Sequence, residues 1–219
     1  MVFNDSWIFN DSWIFNESCA GCNRPGPALC RRCRFSLAGA ATQHNAVGVV
    51  AALPFDGVAR QVLHGLKYRN RRGVARQLAQ LMVRRLRVGT VDLVTWAPTS
   101  GSRARARGYD QSELVARAVA RELGVPCRRL LFRSRGAPQT GHNRVERLHG
   151  PSFRARPLVA GLHVLLIDDV VTTGATMSAA RAALQVAGAR SVACIAAAAT
   201  AAARPAAHGI GARHLAVAS

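Results

Sequence analysis

The segment 164–176, with the sequence VLLIDDVVTTGAT, constrains the fold of this chain more than any other segment. Its first four residues are all apolar, which is typical of a central parallel strand that is covered on both faces. Asp168 and Asp169 stand where that strand is predicted to end, and the apolar spacing over 177–186 predicts a helix after the turn. This order predicts an open α/β sheet, whose ligands bind at the carboxyl ends of the strands.

The turn between the acidic pair and the predicted helix suits a phosphate group. Its residues are Thr172, Thr173, Gly174, Ala175 and Thr176. A helix N-terminus offers free backbone N–H groups and the positive end of the helix dipole, and the threonine hydroxyls add donors. Two carboxylates would repel that phosphate unless they accept hydrogen bonds from a ribose diol or hold hydrated Mg²⁺. The alternative is an ordinary strand–turn–helix in which the aspartates only cap the turn.

Strands and helices are predicted to alternate from about residue 46 onward. Hydrophobic patterns predict strands over 47–54, 91–97, 128–132, 162–168 and 191–198, and helices over 58–68, 74–86, 110–123 and 177–186. This alternation predicts an α/β fold, a parallel twisted sheet with flanking helices on both faces. The long polar segment 134–152 has no clear period, as expected of a functional lid or a disordered loop.

Two C-x-x-C pairs precede the predicted sheet. They consist of Cys19 with Cys22 and of Cys30 with Cys33, a spacing typical of four thiolate ligands of tetrahedral Zn²⁺. Such a site is structural because no coordination position stays open. The metal would supply folding free energy on the order of 10 kcal/mol to a module too short to build its own core. Two disulfides in a secreted peptide are the alternative, which the lack of a secretory signal disfavours.

The first eighteen residues contain a tandem hexapeptide repeat. FNDSWI occurs at 3–8 and again at 9–14, and FNES begins a third copy at Phe15. Repeats of solenoid proteins are longer and need several stacked units, so we expect a poorly ordered or loosely docked tail. The sequence therefore predicts a tail over 1–18, a four-cysteine module over 19–45 and an α/β domain over 46–219.

The formal net charge is +19, from 30 basic and 11 acidic residues, and Lys67 is the single lysine. Arginine suits planar, bidentate phosphate contacts, so the excess predicts polyanionic partners attracted by a field that weakens with salt. A genome bias toward arginine and alanine codons is the alternative. No apolar run approaches the roughly 18 residues needed to cross a bilayer. We expect a soluble cytoplasmic protein without membrane insertion.

Two basic segments are candidates for binding a diphosphate. The first follows a predicted strand and contains Ser100, Gly101, Ser102 and Arg103. Small residues rich in backbone donors, with arginines beside them, suit a pyrophosphate, although a solvated basic loop has the same composition. The second segment contains Arg144 and Arg147. Arginines on a mobile lid would close over a diphosphate and stabilise the charge that develops as it departs.

Two further features of the basic segments have simple structural explanations. Asp110 is expected to cap the helix that follows it, with Glu113 as its capping-box partner. The basic segment 64–69 is expected to form a helix C-terminus that matches the helix dipole. A phosphate-binding role is the minor alternative for that segment.

The order of these segments resembles the ComF family, a phosphoribosyltransferase-like group linked to DNA uptake in competent bacteria. The resemblance rests on the four cysteines, LKYRNRRG, RARGYDQ, QTG with the later Arg147, and LLIDDVVTTGAT. It runs from about Cys19 to Thr200. It implies the type I phosphoribosyltransferase fold with a flexible loop, a phosphoribosyl ligand, and a role in DNA uptake or nucleotide metabolism.

The resemblance also implies roles for the residues of the site. Asp168 and Asp169 would contact the ribose hydroxyls of 5-phosphoribosyl 1-diphosphate (PRPP), with Mg²⁺ bridging the diphosphate. The turn 172–176 would hold the 5-phosphate, residues 100–103 would match the pyrophosphate loop, and Arg144 and Arg147 would belong to the lid. The chain departs from the family at Asp110, where relatives carry asparagine, and after Arg147, where Gly150 replaces the asparagine of R-x-x-N.

Three functions are therefore expected. The first is a phosphoribosyltransferase with an unidentified acceptor. The second is a non-catalytic module that binds single-stranded DNA and acts with a helicase-like competence partner. The third is a PRPP sensor that regulates a partner and keeps the acidic pair for binding only.

Overall fold

The computed structural model describes residues 18–44, 47–133 and 151–200. Its helices are α1 (Arg31–Gly39), α2 (Gly57–Tyr68), α3 (Ala75–Arg85), α4 (Gly101–Arg107), α5 (Gln111–Leu123) and α6 (Ala175–Val186). Its strands are β1 (Gln43–His44), β2 (Val50–Pro54), β3 (Leu93–Trp96), β4 (Leu131–Arg133), β5 (Phe153–Ala155), β6 (His163–Val171) and β7 (Ser191–Ala199). The FNDSWI repeats, Arg144 and Arg147 lie outside the described residues.

The described strands form one main sheet and one short ribbon. The main sheet has the order β1-β2-β7-β6-β3, and β4 pairs with β5 in the ribbon. β1 is antiparallel to β2, whereas β2, β7, β6 and β3 run parallel. The carboxyl ends of four strands therefore meet at one edge, which confirms the predicted α/β fold. Within the described residues no helix has both the length and the apolarity needed to span a bilayer.

Both faces of the central strand β6 are covered, as its apolar run predicts. Leu165 and Ile167 belong to one buried cluster, together with residues of α2, α3 and α5. Val164 and Leu166 point to the other face and join a second cluster with Met177 and further residues of α6. Because side chains alternate along a strand, a continuous apolar run fills both cores.

The motif strand is longer than predicted. β6 continues past Asp168 to Val171 and stays paired with β7 up to the register Val171 to Ala199. Its pairing with β3 ends earlier, at Trp96 opposite Ile167. The two aspartates thus lie within a strand that is supported on one side by β7 and extends beyond β3 on the other. This overhang leaves space beside the carboxylates.

The predicted basic loop after β3 is mostly a helix. α4 covers Gly101–Arg107, with Ser100 at the N-cap position and Gly108 in the left-handed region (φ +76°) after its last turn. Alanine and arginine are among the strongest helix formers, and a glycine at φ > 0 is a common helix end. Only residues 97–100 remain as a loop.

Arg85 joins the cysteine module to the sheet. Its guanidinium donates hydrogen bonds to the carbonyls of Leu37, Ala38 and Ala40 at the end of α1 (3.1, 3.0 and 2.7 Å). It also donates to the carbonyl of Ala52 in β2. Because the last carbonyls of a helix lack intrahelical donors, one arginine satisfies the end of α1 and fixes it against the central domain.

The four predicted metal ligands meet at one point of the structure. The sulfur atoms of Cys19, Cys22, Cys30 and Cys33 all lie within 4.8 Å of one another. Sulfurs around a tetrahedral Zn²⁺ with bonds of about 2.3 Å would be about 3.8 Å apart, and Cys22 Sγ lies 3.8 Å from Cys30 Sγ. The donor set and its spacing therefore fit a closed Zn²⁺ site.

The backbone of the cysteine module favours a thiolate at Cys19. Burial alone would raise the pKa of this thiol, but hydrogen bonds from the backbone amides of Cys30, Cys22 and Gly21 bring the pKa down to about 6. The amide of Cys30 donates to Cys19 Sγ at 3.3 Å. Burial and hydrogen bonds with the other thiols raise the pKa of Cys33. A cation would remove this asymmetry, since metal ligation requires deprotonated sulfur.

Gly21 is required by the packing of this module, and its substitution tests the metal site. A Cβ at Gly21 would lie 2.8 Å from Cys33 Sγ and 2.9 Å from Val58 Cγ1. Gly21→Ala should therefore weaken Zn²⁺ binding by about 10- to 100-fold, as outer-shell changes at metal sites do. The measurement is competition for zinc against a chromogenic chelator. Gly39→Ala is the matched control because its Cβ would meet open space, and equal zinc affinity of the two variants would contradict the packing argument.

Candidate functional site

A cleft of about 410 Å³ opens at the carboxyl ends of β3 and β6. Asp168, Asp169, Thr172 and Thr176 line it from β6 and the turn that follows. The opposite wall consists of Lys67, Tyr68, Ala97, Pro98, Thr99, Arg107, Gln111, Ser112 and Arg133. A smaller space of about 40 Å³ adjoins the cleft, is lined by residues of the turn and shares the Asp168 lining. The structure therefore brings the predicted acidic pair and the predicted phosphate turn to one opening.

The turn after β6 has the geometry expected from its small residues. Thr172 and Thr173 are exposed, and Thr176 is half-buried. Gly174 adopts φ +84° immediately before α6, a conformation that costs glycine little and other residues much. The hydroxyl of Thr173 accepts a hydrogen bond from the amide of Ala175 at 3.4 Å. The turn thus places hydroxyl groups and the first turn of α6 at the small space.

Asp168 is the more constrained carboxylate of the pair. Ser112 Oγ donates to Asp168 Oδ1 at 2.9 Å, and the amide of Asp169 donates to the same oxygen at 2.8 Å. Only 9% of Asp168 is exposed. Burial, together with repulsion from Asp169, raises the pKa of Asp168 from its ordinary 3.8 to about 7, against the effect of these hydrogen bonds and of Lys67.

Lys67 lies in the cleft and pairs with the second carboxylate. Its Nζ is 3.0 Å from Asp169 Oδ2, and both side chains are largely buried, with 19% and 11% exposed. The sequence predicts segment 64–69 as a dipole-matching helix end, which explains the position of Lys67 in the last turn of α2 but not its contact. One sequence feature could have indicated a site residue here, since Lys67 is the single lysine of an arginine-rich chain.

Asp110 joins the loop after β3 to α5. Its Oδ1 accepts from the amide of Ser112 at 3.1 Å, which confirms the predicted cap, and its Oδ2 accepts from the amide of Thr99 at 2.9 Å. Burial raises the pKa of Asp110, and repulsion from Asp169 adds to this effect although the amide hydrogen bonds oppose it. Glu113 forms an ion pair with Arg117 at 2.9 Å. Asp110, the residue at which the chain departs from the family pattern, therefore accepts hydrogen bonds from backbone amides.

Most of the predicted pyrophosphate loop faces a different cleft. Ser100, Gly101 and Ser102 line a second space of about 740 Å³, and of these three none lines the cleft of the acidic pair. Arg103 lies within α4. Pro98, Thr99 and Arg133 line both spaces.

Arg107, one of the arginines that follow the predicted pyrophosphate loop, reaches the acidic cleft. Its guanidinium donates to Gln111 Oε1 at 2.7 Å and to the Tyr68 hydroxyl at 3.3 Å. It also lies 4.9 Å from the centre of the Tyr68 ring. Because α4 is helical, its last residue points back to α2 and α5, which sequence spacing alone does not show.

The raised pKa of Asp168 predicts a dependence of stability on pH. The pKa of Asp168 is about 7 in the folded protein and 3.8 in the unfolded chain. The protonated carboxyl therefore stabilises the fold at low pH, and this contribution is lost as pH rises from 4 through 7. Asp168→Asn should exceed the wild type in free energy of unfolding at about pH 8, by on the order of 4 kcal/mol, and the difference should be much smaller near pH 4. Urea unfolding at several pH values measures this, with the exposed Asp56→Asn as control. A wild type as stable as the variant at high pH would contradict the argument.

A protein-family model matches much of the second half of the chain. The phosphoribosyl transferase domain family matches residues 110–208. The DNA utilization protein YhgH of Salmonella typhi is 30% identical over 128 residues, which cover 53% of this chain and 56% of that protein. YhgH of Escherichia coli K12 is 28% identical over the same shares. The chain thus spans about half the length of the curated relatives it matches.

Two solved structures have partial similarity to the chain. Glutamine PRPP amidotransferase from B. subtilis has a TM-score of 0.42 and 22% identity, covering 58% of this chain and 26% of that one. Adenine phosphoribosyltransferase from Thermoanaerobacter pseudethanolicus has a TM-score of 0.40 and 15% identity, covering 64% and 85%. The match over 110–208 includes Asp110, α5, β6 and the turn. Residues 110–208 thus match the phosphoribosyl transferase domain family, and the chain is, as the sequence resemblance predicts, similar to a DNA utilization protein.

Proposed function

We propose that the cleft between β3 and β6 binds PRPP or a related phosphoribosyl ligand. One observation carries this proposal: the acidic pair and the small-residue turn line the same opening at the carboxyl ends of two parallel strands. Asp168 and Asp169 would accept hydrogen bonds from the ribose diol. The turn, Thr172 to Thr176, would hold the 5-phosphate with its hydroxyls and with the first amides of α6.

The cations of the opposite wall would hold the diphosphate. Lys67 forms an ion pair with Asp169 in the free protein. A ligand whose diol donates hydrogen bonds to Asp169 would free the Lys67 ammonium to contact the diphosphate. Arg107 lines the same wall and offers a planar donor fork that suits phosphate oxygens. Bound Mg²⁺ would neutralise further charge on the diphosphate. The predicted pyrophosphate residues would contact the part of the ligand that extends past Thr99 into the second cleft. These residues are Ser100, Gly101, Ser102 and Arg103.

A transferase reaction at this site would be a displacement at the anomeric carbon. A lone pair of the acceptor forms the new bond to that carbon, the bond to the diphosphate oxygen breaks with its electron pair, and the acceptor proton passes to solvent. The carboxylates would orient the ribose, and Arg144 and Arg147 would stabilise the departing diphosphate. A PRPP sensor needs the same contacts without an acceptor.

Calorimetric titration with PRPP and Mg²⁺ tests the site. Each lost hydrogen bond to a charged group costs about 1.5–3 kcal/mol, so Asp168→Asn/Asp169→Asn should weaken binding by at least about tenfold. Lys67→Met should weaken PRPP more than ribose 5-phosphate, since only PRPP carries the diphosphate. Asp56→Asn, an exposed aspartate at the start of α2, is the control. Equal PRPP affinity for the wild type and the double variant would reject the assigned site.

We also propose that Zn²⁺ occupies the four-cysteine cluster and has a structural role only. All four ligand positions would be filled by sulfur, so no position stays open for substrate. The buried residues Cys19, Cys33 and Leu37 share a hydrophobic cluster with Leu63 and Leu66 of α2. The metal would therefore fix the packing of α2, whose last turn carries Lys67.

Binding of single-stranded DNA is the second candidate function, and the ribbon β4–β5 favours it. Arg129, just before β4, and Arg156, just after β5, each lie 5.1 Å from the centre of the Phe132 ring, and Arg129 and Phe132 line the second cleft. The relatives are named for DNA utilization, and the net charge is +19. We propose that these arginines contact nucleic acid phosphates during DNA uptake, together with a helicase-like partner.

The salt dependence of DNA binding tests this candidate. For single strands, log K falls with log salt by about 0.7 per phosphate contact. Arg129→Gln/Arg156→Gln should therefore flatten the slope by about 1.4 when anisotropy of a labelled oligonucleotide is followed from low to high salt. Arg60→Gln, an exposed arginine on α2, is the control. An unchanged slope in the double variant would show that Arg129 and Arg156 do not contact the DNA phosphates.

A further inference from the structure

A groove of about 320 Å³ separates α1 of the cysteine module from α3. α1 contributes Arg31, Arg34, Phe35 and Ala38, and α3 contributes Gln77, Gln80, Leu81 and Arg84. Each set has the spacing i, i+3, i+4, i+7, which places its members on one helical face. One face of α1 and one face of α3 therefore line the same groove.

The groove combines an exposed aromatic ring with unbalanced positive charge. Phe35 is 82% exposed, although α1 buries Cys33 and Leu37 on its other side. Of the described residues, three arginines and no carboxylate line the groove. The surface therefore suits an occupant with apolar side chains and negative charges.

The repeat at the start of the chain has this chemistry. Residues 1–17 contain Asp5, Asp11 and Glu17 and no basic side chain, in a protein with a net charge of +19. Side chains alternate between two faces in an extended chain, so a period of six keeps each residue type on one face. The face at odd positions then carries Phe3, Asp5, Trp7, Phe9, Asp11, Trp13, Phe15 and Glu17.

The start of the described chain lies close to the groove. Arg71 donates hydrogen bonds to the carbonyl and the hydroxyl of Ser18, and the amide of Ala20 donates to the carbonyl of Ala28 at 2.9 Å. Cys30, at the N-cap position of α1, donates its amide to Cys19 Sγ. An extended chain of fifteen residues reaches up to about 50 Å, whereas a helix of nine residues is only about 13.5 Å long.

We propose that the acidic, aromatic repeat over 3–17 docks into the groove between α1 and α3 of its own chain. Its aromatic rings pack on Phe35 and Leu81, and its carboxylates face Arg31, Arg34 and Arg84. Each hexapeptide offers the same face, so either copy fills the groove. The occupant covers an aromatic ring that water otherwise surrounds and balances three like charges.

Quenching of tryptophan fluorescence by acrylamide tests this docking in the full chain. Trp96 is 3% exposed, so the quenchable signal belongs to Trp7 and Trp13. Phe35→Asp should increase the Stern–Volmer constant and shift the emission to longer wavelength. Val186→Asp, at a site 89% exposed on α6, is the matched control and should leave both unchanged. Zinc content and circular dichroism establish that both variants are folded.

A second set of variants separates docking from a general effect of Phe35. Asp5→Asn/Asp11→Asn/Glu17→Gln should raise the Stern–Volmer constant as Phe35→Asp does, and 1 M salt, where the Debye length is about 3 Å, should do the same to the wild type. Equal quenching in the wild type and both variants would overturn the proposal. A constant that falls as protein concentration rises would assign the tail to a second copy and overturn docking within one chain.

Discussion

Two neighbouring carboxylates buried near the carboxyl end of a covered strand are the constraint on which the rest of the structure depends. Burial penalises their charges, and three elements supply groups that compensate for this penalty. α5 supplies the hydroxyl of Ser112, β6 supplies its own amides, and α2 supplies the ammonium of Lys67. The hydrophobic core holds α2 and α5 against β6, and the position of those compensating groups follows from that packing.

The central part of the fold could be predicted because its signals are local. The apolar run before Asp168 indicates a strand buried on both faces, and the structure divides its residues between two cores. The cap at Asp110 and the clustering of the four cysteines follow from short spacings in the same way. The prediction of a basic loop after β3 was wrong because the helix propensity of alternating alanine and arginine outweighs the small residues and charges that indicate a loop.

The composition of the site could be predicted only in part, because the missing contacts join residues far apart in sequence. Lys67 and Asp169 are separated by about one hundred residues, and no periodicity links them. The contact of Asp110 with Thr99 depends on α4 folding back between them. Likewise, the division of the predicted pyrophosphate residues between two clefts depends on where α4 begins, which spacing fixes poorly.

The ion pair between Lys67 and Asp169 has a consequence for the proposed ligand. A sugar that hydrogen-bonds to Asp169 would first have to separate it from an ammonium 3.0 Å away, so its affinity would be the difference between two sets of contacts. An anion without a diol would meet a lysine that is already paired with Asp169. It could not replace that ion pair, because it has no hydroxyl groups that donate hydrogen bonds to the carboxylate. On the proposed function, the cleft would discriminate against simple phosphates, and the same ion pair would weaken the binding of the sugar diphosphate.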